Sequence, residues 1–144
     1  MAKLESTNQE DLEKIKEWIA ADPWHKDDPS FKEPERLLTG QGLLSFCVAD
    51  DEGPLCFVRL DAEGDMVRFA TQFGPEAEVS KKRLVTGLLS TGIPALICFA
   101  KGKGYKGLIF ESENESLINF MAKQNFVSAG NKDYSLIFEV SKDV

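Results

Sequence analysis

Two short acidic turns constrain this chain more than any other feature. Asp50-Asp51-Glu52-Gly53, and Asp61 to Asp65 with Gly64 inside it, separate three apolar runs: Leu43–Ala49, Pro54–Leu60 and Met66–Phe73. Runs of that length joined by such turns fold back on one another, so a three-stranded antiparallel meander is predicted. In the third run Val67, Phe69, Thr71 and Phe73 fall on one face, and Arg68, Ala70 and Gln72 on the other. One face should be fully buried and the other half covered.

A helical pattern follows. Ser80 is a suitable N-cap for a helix carrying Leu84, Val85, Leu88, Leu89, Leu96 and Ile97. Pro94 interrupts it, because proline lacks the helical donor and clashes with the carbonyl four residues back, that of Ser90. The helix must kink, or stop near Thr91-Gly92 and restart with Pro94 in its first turn; the restart is favoured. Lys101-Gly102-Lys103-Gly104 ends the region through C-cap glycines. Lys106–Phe110 is a buried-type strand, so the long helix makes a parallel crossover.

The flanks complete the order. Lys3–Ser6 suggests a first strand, and Thr7-Asn8-Gln9-Glu10 matches a capping box ahead of Leu12, Ile15, Trp18 and Ile19 at helical spacing. Asp22-Pro23 ends that helix. A charged loop to Ser30 leads to a short helix near Pro34 with Leu37 and Leu38, closed by Gly40 and Gly42. After the crossover strand come a helix over Asn114–Lys123, with Leu117, Ile118 and Met121 inward, and strands over Phe126–Ala129 and Tyr134–Val140. The prediction is a single α/β (α+β) domain over residues 1–144: a mixed, mostly antiparallel sheet of six to seven strands flanked by about four helices.

Charge and cysteines narrow the function classes. A net charge of -7 repels phosphate backbones and anionic membranes, so neither nucleic acid nor membrane is an expected partner. Cys47, Cys56 and Cys98 each sit in an apolar run, which predicts buried free thiols, and no Cys or His spacing supports a metal. The start Met-Ala-Lys-Leu-Glu-Ser lacks the apolar h-region of a signal peptide, and the longest apolar stretch, Ile93–Ala100, falls short of the ~20 residues that span a bilayer. The cytoplasm is expected.

The element order resembles that of the GNAT superfamily of acyl-CoA-dependent N-acyltransferases across nearly the whole chain. The C-terminal third carries the nearest local match: strand Leu108 to Ser112, then a helix begun by Asn114, then Phe126, with Asn125 where that family has glycine. Asparagine tolerates a left-handed backbone, so that exchange is mild. The resemblance implies acetyl-CoA or another acyl-CoA as cofactor, its pantetheine held by the strand with Thr71, Gln72 and Phe73. Its diphosphate would rest on the turn Ser80, Lys81, Lys82, Arg83, Leu84 and Val85, with Asn114 also near the cofactor. Glycines there let backbone amides approach a diphosphate at a helix start. Here Lys81, Arg83 and Val85 stand at the small positions. Either three cations attract a phosphate, or the turn is a solvated basic one that opposes the helix dipole.

Transfer needs a proton acceptor and a proton donor. The tyrosine that commonly protonates the leaving thiolate in that family falls at Met121, which cannot donate. No carboxylate lies on Met66–Phe73, leaving Glu111 at the end of the fifth strand as the candidate base or as a plain exposed glutamate. Trp24 and His25 lie in the loop that the resemblance sets beside the acceptor, where they would bind or deprotonate an amine. Otherwise Trp24 tucks into the core and His25 faces water. Lys101 to Gly107 follows a helix and is a cap, not a phosphate loop. Glu111 to Glu115 supports a helix start and lacks calcium-loop spacing. The expected function is acyl transfer from acyl-CoA to a small-molecule or peptide amine. The alternative is a catalytically inactive domain of that fold binding a ligand or protein, and the exposed sheet edges leave a homodimer open.

Overall fold

The computed structural model describes residues 2–7, 9–22, 43–111, 115–128 and 135–139. Seven strands form one sheet in the order β1-β2-β3-β4-β5-β7-β6: β1 (Lys3–Ser6), β2 (Leu44–Asp50), β3 (Gly53–Glu63), β4 (Met66–Phe73), β5 (Gly107–Glu111), β6 (Val127–Ser128) and β7 (Ser135–Glu139). The helices are α1 (Leu12–Ala21), α2 (Lys81–Gly87), α3 (Ile93–Gly102) and α4 (Glu115–Ala122). Among the described residues only β4 and β5 run parallel, joined by the helical crossover. The short helix expected near Pro34, with Leu37 and Leu38, lies outside the described residues.

The meander forms where the turns demand it. Glu63 faces Met66 across a two-residue turn, and Gly64 at its first position has φ +63°, a left-handed conformation that suits glycine. β3 runs to Glu63, past the Leu60 expected from hydropathy. Its charged end is neutralised along and across the strands: Arg59 pairs with Asp61 on β3 itself at 2.8 Å, and Arg68 of β4 with Glu63 at 2.9 Å. Polar residues extend a strand when each charge finds an opposite neighbour.

The two faces of β4 divide as expected except at the end, where Phe73 is half-buried and Gln72 fully buried. Val67, Phe69 and Thr71 are buried, and Phe69 stacks on Phe110 at 5.0 Å and meets Phe126 edge-on at 6.1 Å. On the opposite face Trp18 of α1 packs on Phe57 at 5.2 Å. Asn125 has φ +70°, the left-handed residue that the resemblance asked for, and it delivers Phe126 into the core. At the start of the chain a 3-10 turn over Gln9–Asp11 precedes α1, so the α-helix proper begins later than the capping-box pattern suggested.

Pro94 is accommodated by a device between a kink and a restart. The backbone stays helical from Lys81 to Gly102, but Leu88–Gly92 winds as a π turn, and the Ile93 amide donates to the Leu88 carbonyl. Bonds to the fifth residue back take in an extra residue, so α3 begins again with Pro94 in its first turn, where a missing N–H costs nothing. These 22 residues are apolar and long enough to cross a membrane by length and composition, a span that Ile93–Ala100 alone did not suggest. Leu88, Ile93, Leu96 and Ala100 nevertheless sit in the core cluster.

The cysteines depart from expectation in one case. Cys47 and Cys56 are buried, but Cys98 is exposed. Two residues from Leu96 and from Ala100, it points about 200° around the helix from each, away from the core. Burial first, then the nearby Asp11 and Glu5 carboxylates, pushes the Cys47 thiol up to about 12, and burial pushes Cys56 up as well. The expected outcome is that a disulfide-exchange reagent labels one thiol per folded chain at neutral pH and three after denaturation; Cys98→Ser should remove the native signal.

Candidate functional site

β4 and β5 share a ladder only at Met66↔Gly107, Val67↔Leu108 and Arg68↔Ile109. Beyond Arg68 the two strands part: β4 runs on to Phe73, and β5 keeps only its pairing with β7, which holds its other edge from Gly107 to Glu111. Among the described residues, Phe69–Phe73 has no ladder partner on the β5 side, so main-chain groups there are left to face a slot. Thr71 and Phe73 line the base of this slot with Leu88, Gly92, Phe110 and Met121, around an apolar cavity of about 20 Å³. That is room for one water-sized group. Met121, buried at the expected tyrosine position, supplies a thioether wall and no proton.

Gln72 does something else. Its side chain is fully buried on the other face, where Nε2 donates to the carbonyls of Phe73 at 3.1 Å and Trp18 at 3.5 Å and to Asp22 Oδ2 at 3.2 Å. It ties β4 to the end of α1, so its side chain is not part of the slot.

The helix that follows packs against β2 and β3. Ser80 is the N-cap, as expected: its Oγ accepts from the Arg83 amide at 3.2 Å. Lys81 and Lys82 are exposed, while Leu84 and Val85 are half-buried. Arg83 is not a solvated cation but a paired one. Its Nε and Nη2 donate to both Asp50 carboxylate oxygens at 2.9 and 2.8 Å, Nη1 donates to the Glu78 carbonyl at 3.3 Å, and Glu52 lies 3.4 Å away. The guanidinium thus latches the helix start to the β2–β3 turn, and the bidentate pairing supplies the purpose that the dipole argument lacked. The three acids of that turn, set against three cations, were the signal in the sequence. Glu78 itself binds Lys14 and accepts from Trp18 Nε1 at 2.6 Å, which pins the β4–α2 loop to α1.

The latch has a pH signature. The hydrogen bond from Arg83 is the main cause holding the Asp50 carboxyl down at about 2 against an ordinary 3.8. Glu78 is lowered too, by its bonds from Lys14 and Trp18. A carboxylate lowered in the folded state stabilises above its unfolded value and loses that contribution as pH falls through the folded one. Acid unfolding should therefore show a loss between pH 3.8 and about 2 that is smaller in Asp50→Asn, read by circular dichroism at fixed ionic strength.

Glu111 closes β5 opposite Ser135, and its side chain lies outside the described residues. Trp24, His25 and Asn114 also lie outside them. The structure therefore places Thr71 and Phe73 at the cavity, ties the side chain of Gln72 to the end of α1, and ties Arg83, within the Ser80–Val85 turn, to Asp50.

No protein-family model matches the chain, and no curated protein matches it in sequence. Solved structures do match in shape. A GNAT-family acetyltransferase from Staphylococcus aureus superposes with a TM-score of 0.71 at 12% identity, over 98% of this chain and 100% of the other. A spermidine/spermine N-acetyltransferase from Vibrio cholerae gives 0.65 at 13%, over 99% and 96%. An aminoglycoside acetyltransferase in complex with coenzyme A gives 0.70 at 12%, over 96% and 95%. With the splayed fourth and fifth strands and the crossover helix already in place, this chain has the GNAT acetyltransferase fold.

Proposed function

We propose that this protein is an acyl-CoA-dependent N-acyltransferase acting on a cationic small-molecule or peptide amine in the cytoplasm. The observation that carries the reading is the parting of β4 from β5 after Arg68 and Ile109, next to an apolar cavity lined by Thr71, Phe73 and Phe110. The residues fit coenzyme A in the slot: main-chain groups of Phe69–Phe73 would hold its amide-bearing arm, with Thr71 and Phe73 alongside. At the helix start Lys81 and Lys82 would meet the diphosphate in place of the missing glycines. The bound cofactor supplies a thioester-activated acyl group.

This chain's own part is binding, orientation and exclusion of water. A cavity of about 20 Å³ with apolar walls suits a methyl-sized acyl end and disfavours a charged one. The net charge of -7 draws polyamine-like and aminoglycoside-like cations toward the protein, the kinds of amine named in two of the matching structures. Met121 cannot donate a proton, so proton traffic falls to water, Glu111 or His25.

The test is a thermal shift with acetyl-CoA. Binding at 100 times the dissociation constant adds about 2.7 kcal/mol. For a chain of this length that raises the melting temperature by roughly 5–10 °C. No shift at millimolar acetyl-CoA sinks the proposal. A second reading, a binding domain of this fold without turnover, is favoured by Met121 and by the diversion of Arg83. It predicts the same shift with no acetylated product from polyamines, aminoglycosides or peptides.

A further inference from the structure

β1 is an edge strand of the sheet, and every one of its four side chains is exposed. Leu4 is 46% exposed there, on the side of the sheet that carries the crossover helix, since it pairs with Val48. β1 lies against the π turn: Thr91 Oγ1 donates to the Ala2 carbonyl at 3.2 Å, and Leu89 of the same turn is also 46% exposed. A strand edge with exposed leucines beside it is a template for another strand unless charge or shape forbids it.

Charge here favours one specific partner. Antiparallel pairing of two copies of Lys3-Leu4-Glu5 about a two-fold axis at Leu4 sets Lys3 opposite Glu5 of the second copy, and Glu5 opposite its Lys3. Leu4 then meets Leu4 on the helix side, with Leu89 of each copy flanking. Within one chain Lys3 and Glu5 are already 3.6 Å apart on a common side, so both can turn to the opposing pair without crossing the sheet. Opposite charges directly across a ladder are favourable and like charges are not, so a parallel arrangement, which stacks Lys3 on Lys3, is disfavoured. An isologous contact of this kind closes on itself and forms a dimer, not a fibre.

We infer that β1 is a self-complementary dimer edge, joining two seven-stranded sheets into one continuous sheet. The contact is independent of the acyl-transfer reading, because the slot between β4 and β5 lies on the other side of β2 and β3. Four residues of strand and two leucines make a small interface, so the dimer should dissociate on dilution.

Sedimentation equilibrium of the full chain from micromolar to millimolar concentration tests it. Wild type should dimerise. Glu5→Lys, which sets lysine against lysine twice, should raise the dissociation constant about tenfold, as should Lys3→Glu. The double exchange Lys3→Glu with Glu5→Lys restores opposite pairs and should return the constant to within about twofold of wild type. Circular dichroism of each variant separates unfolding from dissociation. A wild type that stays monomeric overturns the inference, and so does a dimer indifferent to Glu5→Lys or one that the double exchange fails to rescue.

Discussion

Trp18→Ala should destabilise the protein by about 3–5 kcal/mol, the usual cost of removing a buried aromatic. Trp18 is only 2% exposed and packs on Phe57 at the centre of the α1 face, so its removal leaves a hole bounded by a sheet that cannot follow. The indole also holds Glu78, and its ring edge comes within 3.1 Å of where a Cβ on Gly74 would stand. Loss of Trp18 thus loosens the β4–α2 loop as well as the core. On the scale of a domain this size the melting temperature should fall by roughly 10 °C or more. Trp18→Phe should recover most of that loss, because it restores the ring and forfeits only the bond to Glu78. Calorimetry on the two variants separates packing from the loop anchor. Equal losses in both would mean that the hydrogen bond dominates.

Coenzyme A affinity should depend on Lys81 and Lys82 and be indifferent to Arg83. Lys81→Glu with Lys82→Glu reverses two exposed charges at the helix start and should weaken binding at least about tenfold, at roughly 1 kcal/mol per charge. Arg83→Met should leave the dissociation constant within about twofold, since its guanidinium already serves Asp50 and the Glu78 carbonyl. Asp50→Asn is the informative variant. It releases Arg83 next to the proposed diphosphate site and removes a nearby anion, so binding should tighten several-fold. Arg83→Met in the Asp50→Asn background should abolish the gain. Titration calorimetry at two salt concentrations reads all four. A large loss from Arg83→Met alone would show that the latch opens on binding.

Much of the fold was legible because its signals are local. The turns at Asp50–Gly53 and Gly64-Asp65, the alternation along β4 and the spacing of Ile15, Trp18 and Ile19 each follow from a few neighbouring residues. Asn125 was legible through the resemblance, which has a glycine at that position. The parts that escaped depend on distant partners. Nothing near Gln72 says that its amide will reach the end of α1, and nothing near Arg83 says that it will cross to Asp50. Cys98 misled because an apolar run in a helix covers the whole circumference, so hydropathy alone cannot say which side is inward. The slot was legible only through the resemblance, since a splay between parallel strands is a property of register and not of composition.

The π turn has a consequence for how this crossover tolerates change. Leu88, Gly92, Leu96 and Ala100 are all buried and stand four residues apart. Four residues of regular α-helix turn through about 400°, so such a stripe slips about 40° sideways at each repeat and would leave the sheet within a few turns. One wider turn absorbs the slip and brings the second half back into phase. A one-residue deletion between Leu89 and Thr91 would mend the hydrogen-bond ladder, yet it would swing Ile93, Leu96 and Ala100 through about 100°. The irregular segment is what keeps the two halves of the helix facing the same way.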